Sequence, residues 1–212
     1  YHRFREDPVV SGGVLSGVPR AITLAPAPRN TTTALFLAPR LAVTPALTLE
    51  PGLRFDRHTA SQDADTSPRL NAALTLSART TLRAAWGVYA QAQGLHELPV
   101  QFGDSTFQRS EQAQHRVLSL DHRFATGLNL RVEAYQRLTA HPRPHWLNRY
   151  DTYNVFPEAQ TDRLLLAPSS AEAQGVELLA QRRGHGKFDW TISYALSQAR
   201  EKVGLVTLPG LR

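Results

Sequence analysis

The 212 residues predict an all-β protein. The expected fold is an antiparallel up-and-down meander forming part of a transmembrane β-barrel, with about eight strands, short periplasmic turns and long extracellular loops. Three observations carry that expectation. From Leu128 to Arg137 the chain alternates, with Leu128, Leu130, Val132 and Ala134 on one side and Asn129, Arg131, Glu133, Tyr135 and Arg137 on the other. The same pattern recurs in segments of about ten residues, the length of a tilted membrane strand and longer than the roughly five or six usual in soluble sheets. The connections between segments are alternately very short and very long.

Alternation alone has two meanings, because a strand with one apolar face serves either a soluble sandwich or a barrel wall. In the sandwich the apolar face is the core; in the barrel it meets lipid and the polar face meets a wet lumen. Along the chain, a weaker copy at residues 32–41 opens the series. Leu47, Leu49, Leu53 and Phe55 then oppose Thr48, Glu50, Gly52, Arg54 and Asp56, with Pro51 as an interruption. A second weak copy occupies residues 70–76. Leu82, Ala84, Trp86, Val88 and Ala90 oppose Thr81, Arg83, Gly87, Tyr89 and Gln91. Leu118 and Leu120 oppose Ser119, Asp121 and Arg123 ahead of the 128–137 strand. Val176, Leu178 and Ala180 oppose Glu177 and Gln181, and Phe188, Trp190, Ile192, Tyr194 and Leu196 oppose Asp189, Thr191, Ser193 and Ser197.

Tight turns are expected at Thr44 and Pro45, at Ser77 to Arg79, at Ala125 to Gly127 and at Gly184 to Gly186, which carry the Gly, Pro or Ser that hairpins use. Long polar segments lie between them, at residues 57–67, 93–111 and 139–173. A structureless loop as long as the last counts against a compact soluble domain. The domain expectation is residues 1–30 as a loop or extension, 31–201 as partial barrel and 202–212 as a truncated loop.

Composition narrows the function classes. The chain is 42% hydrophobic, yet no apolar run approaches the eighteen or so residues of a membrane helix, so a helical membrane protein is excluded. The absence of cysteine excludes a disulfide scaffold and Cys-ligated zinc. A net charge of +6 invites a nucleic-acid reading, but the arginines are dispersed and no nucleic-acid-binding signature accompanies them. Inward-facing arginines suit a lumen, and loop arginines suit anionic lipopolysaccharide or an anionic ligand. The opening residues Tyr1 to Pro8 hold no apolar signal core, so a removed leader or an internal piece is expected.

Ser67-Pro68-Arg69-Leu70 leading to Leu74, followed by Ala78 through Gln91 and then Leu95-His96-Glu97-Leu98, resembles a phrase of the barrels of TonB-dependent outer-membrane receptors. Arg109-Ser110-Glu111-Gln112 running into 118–124 and 127–135 fits the same pattern. So do 173–178 and the Phe188 to Ser197 stretch. The likeness covers about residues 31–201. It implies a receptor of the Gram-negative cell outer membrane, with energised uptake of a metal chelate such as a ferric siderophore, haem or cobalamin. It implies as partners a plug domain, the TonB complex and outer-membrane lipid or lipopolysaccharide. Neither a plug nor a TonB-engaging segment is recognisable before Thr31, and the stretch up to Arg212 lacks a terminal aromatic strand. The chain is therefore expected to be part of a receptor and not transport-competent alone. The competing readings are a passive porin or adhesin and, behind those, a soluble ligand-binding β-protein.

Candidate ligand-binding residues at or near the loops are Tyr89, Gln91, His96, Phe102 and Phe107, then Arg143, His145, Trp146, Tyr150 and Tyr153. Arg83, Arg131, Glu133, Tyr135 and Arg137 are expected to face the lumen and plug. His141 and His145 are four apart, but Pro142 and Pro144 forbid the helix that would align them, so this is read as a solvated loop with no metal. Trp86, Trp190 and Tyr194 are read as lipid-facing band or girdle aromatics. Arg182, Arg183 and Lys187 are read as solvated turn residues. No spacing suggests a hydrolase triad, so neither enzyme activity nor a cofactor is expected.

Overall fold

A computed structural model describes residues 3–5, 10–11, 14–15, 21–23, 30–94, 97, 107–148, 150, 161–182 and 188–209. Short strands come first: β1 (Arg3–Arg5) pairs with β4 (Ala21–Thr23), and β2 (Val10–Ser11) with β3 (Val14–Leu15). They fall within the stretch read from sequence as an extension. The rest is one antiparallel sheet. Its strands are β5 (Thr32–Leu37), β6 (Leu41–Ala42), β7 (Leu47–His58), β8 (Ala64–Ser77), β9 (Thr80–Gln91), β10 (Glu111–Arg123) and β11 (Leu128–Ala140). It continues through β14 (Ser170–Arg182), β15 (Trp190–Val203) and β16 (Val206–Pro209). The order is β5-β7-β8-β9-β10-β11-β14-β15-β16, with β6 beside β7, so each long strand pairs with its neighbours in sequence. Between β11 and β14 a separate hairpin forms from β12 (His145–Asn148) and β13 (Arg163–Leu166).

The register turns the alternation into continuous rows. Residues opposed across an antiparallel ladder share a face. Leu47, Leu74, Leu82, Leu120, Val132, Leu178 and Tyr194 are opposed in succession across seven strands, every one apolar or aromatic. One residue along, the row reads Thr48, Ala73, Arg83, Ser119, Glu133, Glu177 and Ala195. A slip of one residue would exchange these rows, so a two-faced environment fixes the pairing.

The apolar row has no core to enter. Among the described residues the buried apolar side chains are Ala113 and Leu166 with the prolines Pro142 and Pro168, whereas Val176, Ile192, Tyr194 and Leu196 are exposed. Burial falls instead on polar residues such as Asp56, Asp65, Ser67, Thr139 and Glu201. By register these belong to the charged face, near the ends of the strands that lead into the long connections. A soluble sandwich would bury the opposite face.

Several boundaries differ from the sequence expectation. The polar segment 57–67 is mostly strand, because β7 continues to His58 and β8 begins at Ala64, leaving only 59–63 as connection. Period-2 geometry persists there although both faces have become polar. The segment 139–173 is not structureless, since Trp146 and Leu147 pair with Leu165 and Leu164 in the β12–β13 hairpin. Residues 202–212, read as loop, contain the end of β15 and β16, joined by Gly204 at φ +60°. That tight turn lies at the end of the sheet where the long connections emerge, unlike the other short turns. The turn at 78–79 and the one around Gly127, with φ +79°, form as expected, and Gly184 to Gly186 lie outside the described residues.

Pro51 is accommodated rather than disruptive. β7 pairs with β8 straight through it, opposite Leu70, while on the other edge β6 reaches only Leu49 and β5 begins at Leu53. A residue with no N–H to donate thus occupies the gap between two partners. The weak copy at 32–41 is correspondingly split into β5 and β6 at residues 38–40.

Candidate functional site

The charged face carries two clusters, one at each end of the sheet. At the short-turn end Asp121 of β10 lies between Arg83 of β9 and Arg131 of β11. The Arg83 Nε donates to Asp121 Oδ2 at 2.8 Å and the Arg131 Nε to Oδ1 at 2.7 Å. One carboxylate thus ties three strands. Beside it the Arg123 Nε donates to Asn129 Oδ1 at 3.2 Å. A hollow of about 490 Å³ opens here, lined by Arg79, Arg83, Arg123, Arg131, Asp121 and Asn129 among others.

At the loop end the face is more aromatic and more enclosed. Arg69 of β8 lies over the Tyr89 ring at 5.0 Å, and Tyr89 meets the His115 ring with centroids 4.7 Å apart. Gly87 makes room for this stack, since a Cβ there would come within 3.1 Å of both the Arg69 Cβ and the Tyr89 ring. Further along, between the two ends, Gly175 plays the same part for Tyr135, whose hydroxyl would be 2.8 Å from an added Cβ. Tyr135 and Gly175 are directly opposed in the ladder, so the tyrosine lies across the bare backbone of the next strand.

Arg143 anchors the 141–144 segment. Its Nη1 donates to Glu97 Oε2 at 2.6 Å, its Nη2 to the Gln91 carbonyl at 2.5 Å, and its backbone N–H to Glu111 Oε2 at 3.3 Å. The Arg137 Nη2 reaches the other Glu111 oxygen at 3.5 Å. In the 92–110 connection the Ser110 N–H and hydroxyl both donate to Asp63 Oδ2 at 3.1 Å, tying it to the β7–β8 turn. His145 Nε2 lies 3.5 Å from Glu201 Oε2, so the long connections are tied to strand ends by charged groups.

The lumen candidates Arg83, Arg131, Glu133, Tyr135 and Arg137 therefore lie on one face, with Glu133 directly opposite Glu177. Of the ligand candidates, Tyr89 and Gln91 are residues of β9, and His145 and Trp146 belong to β12 rather than to irregular loop. Trp146 has Arg163 over its ring at 5.3 Å. Tyr150 is 83% exposed and its N–H donates to Asp162, which also accepts from Asn148. Phe107 is half-buried, and His96, Phe102 and Tyr153 lie outside the described residues. Asp121, Arg69 and His115 were not singled out from sequence. Asp121 was already in the polar set of its strand, and Gly87 two before Tyr89 marked an aromatic over a bare backbone. No group of three or more His, Cys, Asp or Glu suited to a metal occurs among the described residues.

An apolar row, a charged row one residue along and alternate short and long connections describe a barrel wall. The family described as TonB dependent receptor-like, beta-barrel, matches residues 1–210. The chain belongs to that family. Among solved structures, a siderophore receptor of Pseudomonas aeruginosa is similar with a TM-score of 0.62 and 18% identity, over 85% of this chain and 38% of that one. A ferric enterobactin receptor of the same organism gives 0.59 and 17%, over 81% and 30%. An iron transporter of Neisseria meningitidis gives 0.59 and 14%, over 81% and 26%. No curated protein is similar enough in sequence to match the chain. The chain thus spans well under half the length of these structures, and what it shares with them is the antiparallel barrel meander, left open here.

Proposed function

We propose that this chain is wall from an outer-membrane receptor of a Gram-negative bacterium that takes up a metal chelate with energy supplied through TonB. Residues 31–201 are the wall proper in this reading. The transported complex is of the ferric siderophore, haem or cobalamin kind, and the wall works with a plug domain inside it and with lipopolysaccharide around it. No bond is made or broken, since capture needs a shaped mouth and release needs a moving plug. The observation that carries the reading is an apolar row across seven strands, none of its members buried, backed by a row with charged residues one position away.

Three experiments on the full-length receptor test it. Spin labels at Leu130 and Arg131 are exposed to lipid-soluble and water-soluble quenchers. The lipid-soluble quencher should win at Leu130 and the water-soluble one at Arg131, whereas protection of Leu130 from both would mean a protein core and end the membrane assignment. Correspondingly, Ala134→Arg at the middle of β11 should cost about 2–4 kcal/mol and Glu133→Arg, on the other face, far less. Ligand capture is assigned to the long connections, where aromatic and arginine side chains cluster. Deleting residues 142–153 should weaken binding of the chelate while leaving the barrel assembled, and unchanged affinity would move the site elsewhere.

A further inference from the structure

On the face that carries the apolar rows, polarity changes within a single step. Leu118, Ala134, Val176 and Leu196 are opposed in succession across β10, β11, β14 and β15. The next row toward the long connections reads Arg116, Gln136, Gln174 and Gln198, and the one beyond it Gln114, Leu138, Glu172 and Arg200, with Lys202 further along β15. Hydrogen bonds join this polar field from strand to strand. Arg116 donates through Nη2 to Gln114 Oε1 at 2.9 Å and through Nη1 to Gln136 Oε1 at 3.3 Å, and the Gln136 Nε2 donates to Glu172 Oε1 at 2.8 Å. Arg116, Gln174, Gln198, Arg200 and Lys202 are nonetheless exposed. Amides and charges on this scale do not serve a contact with hydrocarbon.

We infer that this field is a docking site for the phosphorylated saccharide head of lipopolysaccharide. The inference rests on the receptor reading above and adds to it the side chains that hold the lipid and the part of the lipid they hold. Continuity is the first argument. The apolar row through Leu118, Val176 and Leu196 borders the field directly, so one amphiphile can lay its acyl chains below and its head above. Charge is the second. Arg116, Arg200 and Lys202 outnumber Glu172, whose carboxylate already accepts from Gln136, and the surplus suits phosphate. Extent is the third. From Gln198 to Lys202 the strand rises about 13 Å, or about 10 Å of height at the usual barrel tilt, more than the roughly 6 Å of a phospholipid headgroup layer. Glutamine amides both donate and accept, as sugar hydroxyls do, which fits a saccharide over that height.

The test titrates the full-length receptor in detergent with rough lipopolysaccharide and reads bound lipid by native mass spectrometry. Arg116→Gln/Arg200→Gln/Lys202→Gln should weaken retention about tenfold or more, the factor that one charge-assisted hydrogen bond carries. Arg182→Gln removes a charge from the same face at the short-turn end, opposite Leu128, and should change nothing. Equal losses in the two variants, or equal retention of dephosphorylated lipopolysaccharide, would overturn the inference. Retention of phosphatidylglycerol as tight as that of lipopolysaccharide would overturn it too, because charge alone would then explain the binding. A second measurement does not depend on the charge variants folding. With the receptor in phosphatidylcholine vesicles, a nitroxide on the Gln174→Cys variant should become less accessible to a water-soluble quencher once rough lipopolysaccharide is added. Unchanged accessibility counts against the inference, and disulfide-linked dimers of that variant before labelling would put a second copy of the chain on the field instead. Failure here with Leu130 still reached by the lipid-soluble quencher defeats this inference alone, whereas loss of that quenching defeats the receptor reading beneath it.

Discussion

The two ends of the charged face use the same chemistry to different effect. At the short-turn end the Arg83–Asp121–Arg131 bridge joins adjacent strands whose register the ladder already fixes, and its arginines are half exposed. At the loop end Arg143, 17% exposed, joins residues far apart in sequence: 141–144, Glu97 in the 92–110 connection and the end of β9. The difference teaches where electrostatics decides conformation. Exposed pairs between fixed strands are screened and add little stability, while an enclosed guanidinium bridging two connections determines where those connections lie.

The largest expected effect lies between the two ends, where neither kind of ion pair acts. At Gly175 an added Cβ would sit 2.7 Å from the Leu196 carbonyl and 2.8 Å from the Tyr135 hydroxyl. Gly175→Val should therefore cost about 3 kcal/mol, read as a fall in denaturant midpoint of the folded receptor in detergent. Adding Tyr135→Phe should recover little, because the carbonyl is backbone and cannot swing aside. Full recovery would show that side-chain crowding alone sets the strand spacing.

Arg143→Ala comes next. Losing two charge-assisted hydrogen bonds, to Glu97 and to the Gln91 carbonyl, should cost about 2 kcal/mol of local order. The readout is faster proteolysis of the 92–110 and 141–169 connections at an unchanged global midpoint. A drop in the global midpoint instead would place the loop-end network in the cooperative unit of the sheet and erase the contrast drawn here.

The smallest effect is expected at Arg131→Ala. A pair this exposed is worth about 0.2–1 kcal/mol, and raising salt from roughly 0.1 to 1 M, which shortens the screening length from about 10 to 3 Å, should abolish the difference from the parent. A salt-insensitive loss would mean that the pair is covered by an occupant when the receptor is whole.

How far the sequence foretold this depends on the range of the interaction. The rows through Leu130 and Arg131 were legible because period-2 alternation is local and each strand repeats it. The strand ends were not, since Asp65, Thr66 and Ser67 lie beyond the apolar band and alternate nothing that a hydrophobicity pattern registers. The 139–173 stretch hid its hairpin because only a few residues, Trp146 and Leu147 against Leu164 and Leu165, make it up. Pro51 looked like a break and is not one, because its missing donor faces an edge gap that depends on where β5 and β6 stop. At the site, face membership of Arg83, Arg131 and Arg137 followed from parity. Which carboxylate each arginine meets did not, because Asp121 and Glu111 reach them across the register, just as Glu97 reaches Arg143 only through loop geometry.

The strict neighbour-to-neighbour order of the long strands has a kinetic consequence. Each hairpin closes from residues close in sequence, and the newest strand is always the template for the next, so the sheet can grow from one edge without waiting for distant partners. Growth also leaves a fresh row of open backbone groups and exposed leucines at every step. In water such an edge invites pairing with other chains, so the strand order that makes growth easy also makes each intermediate a template for aggregation.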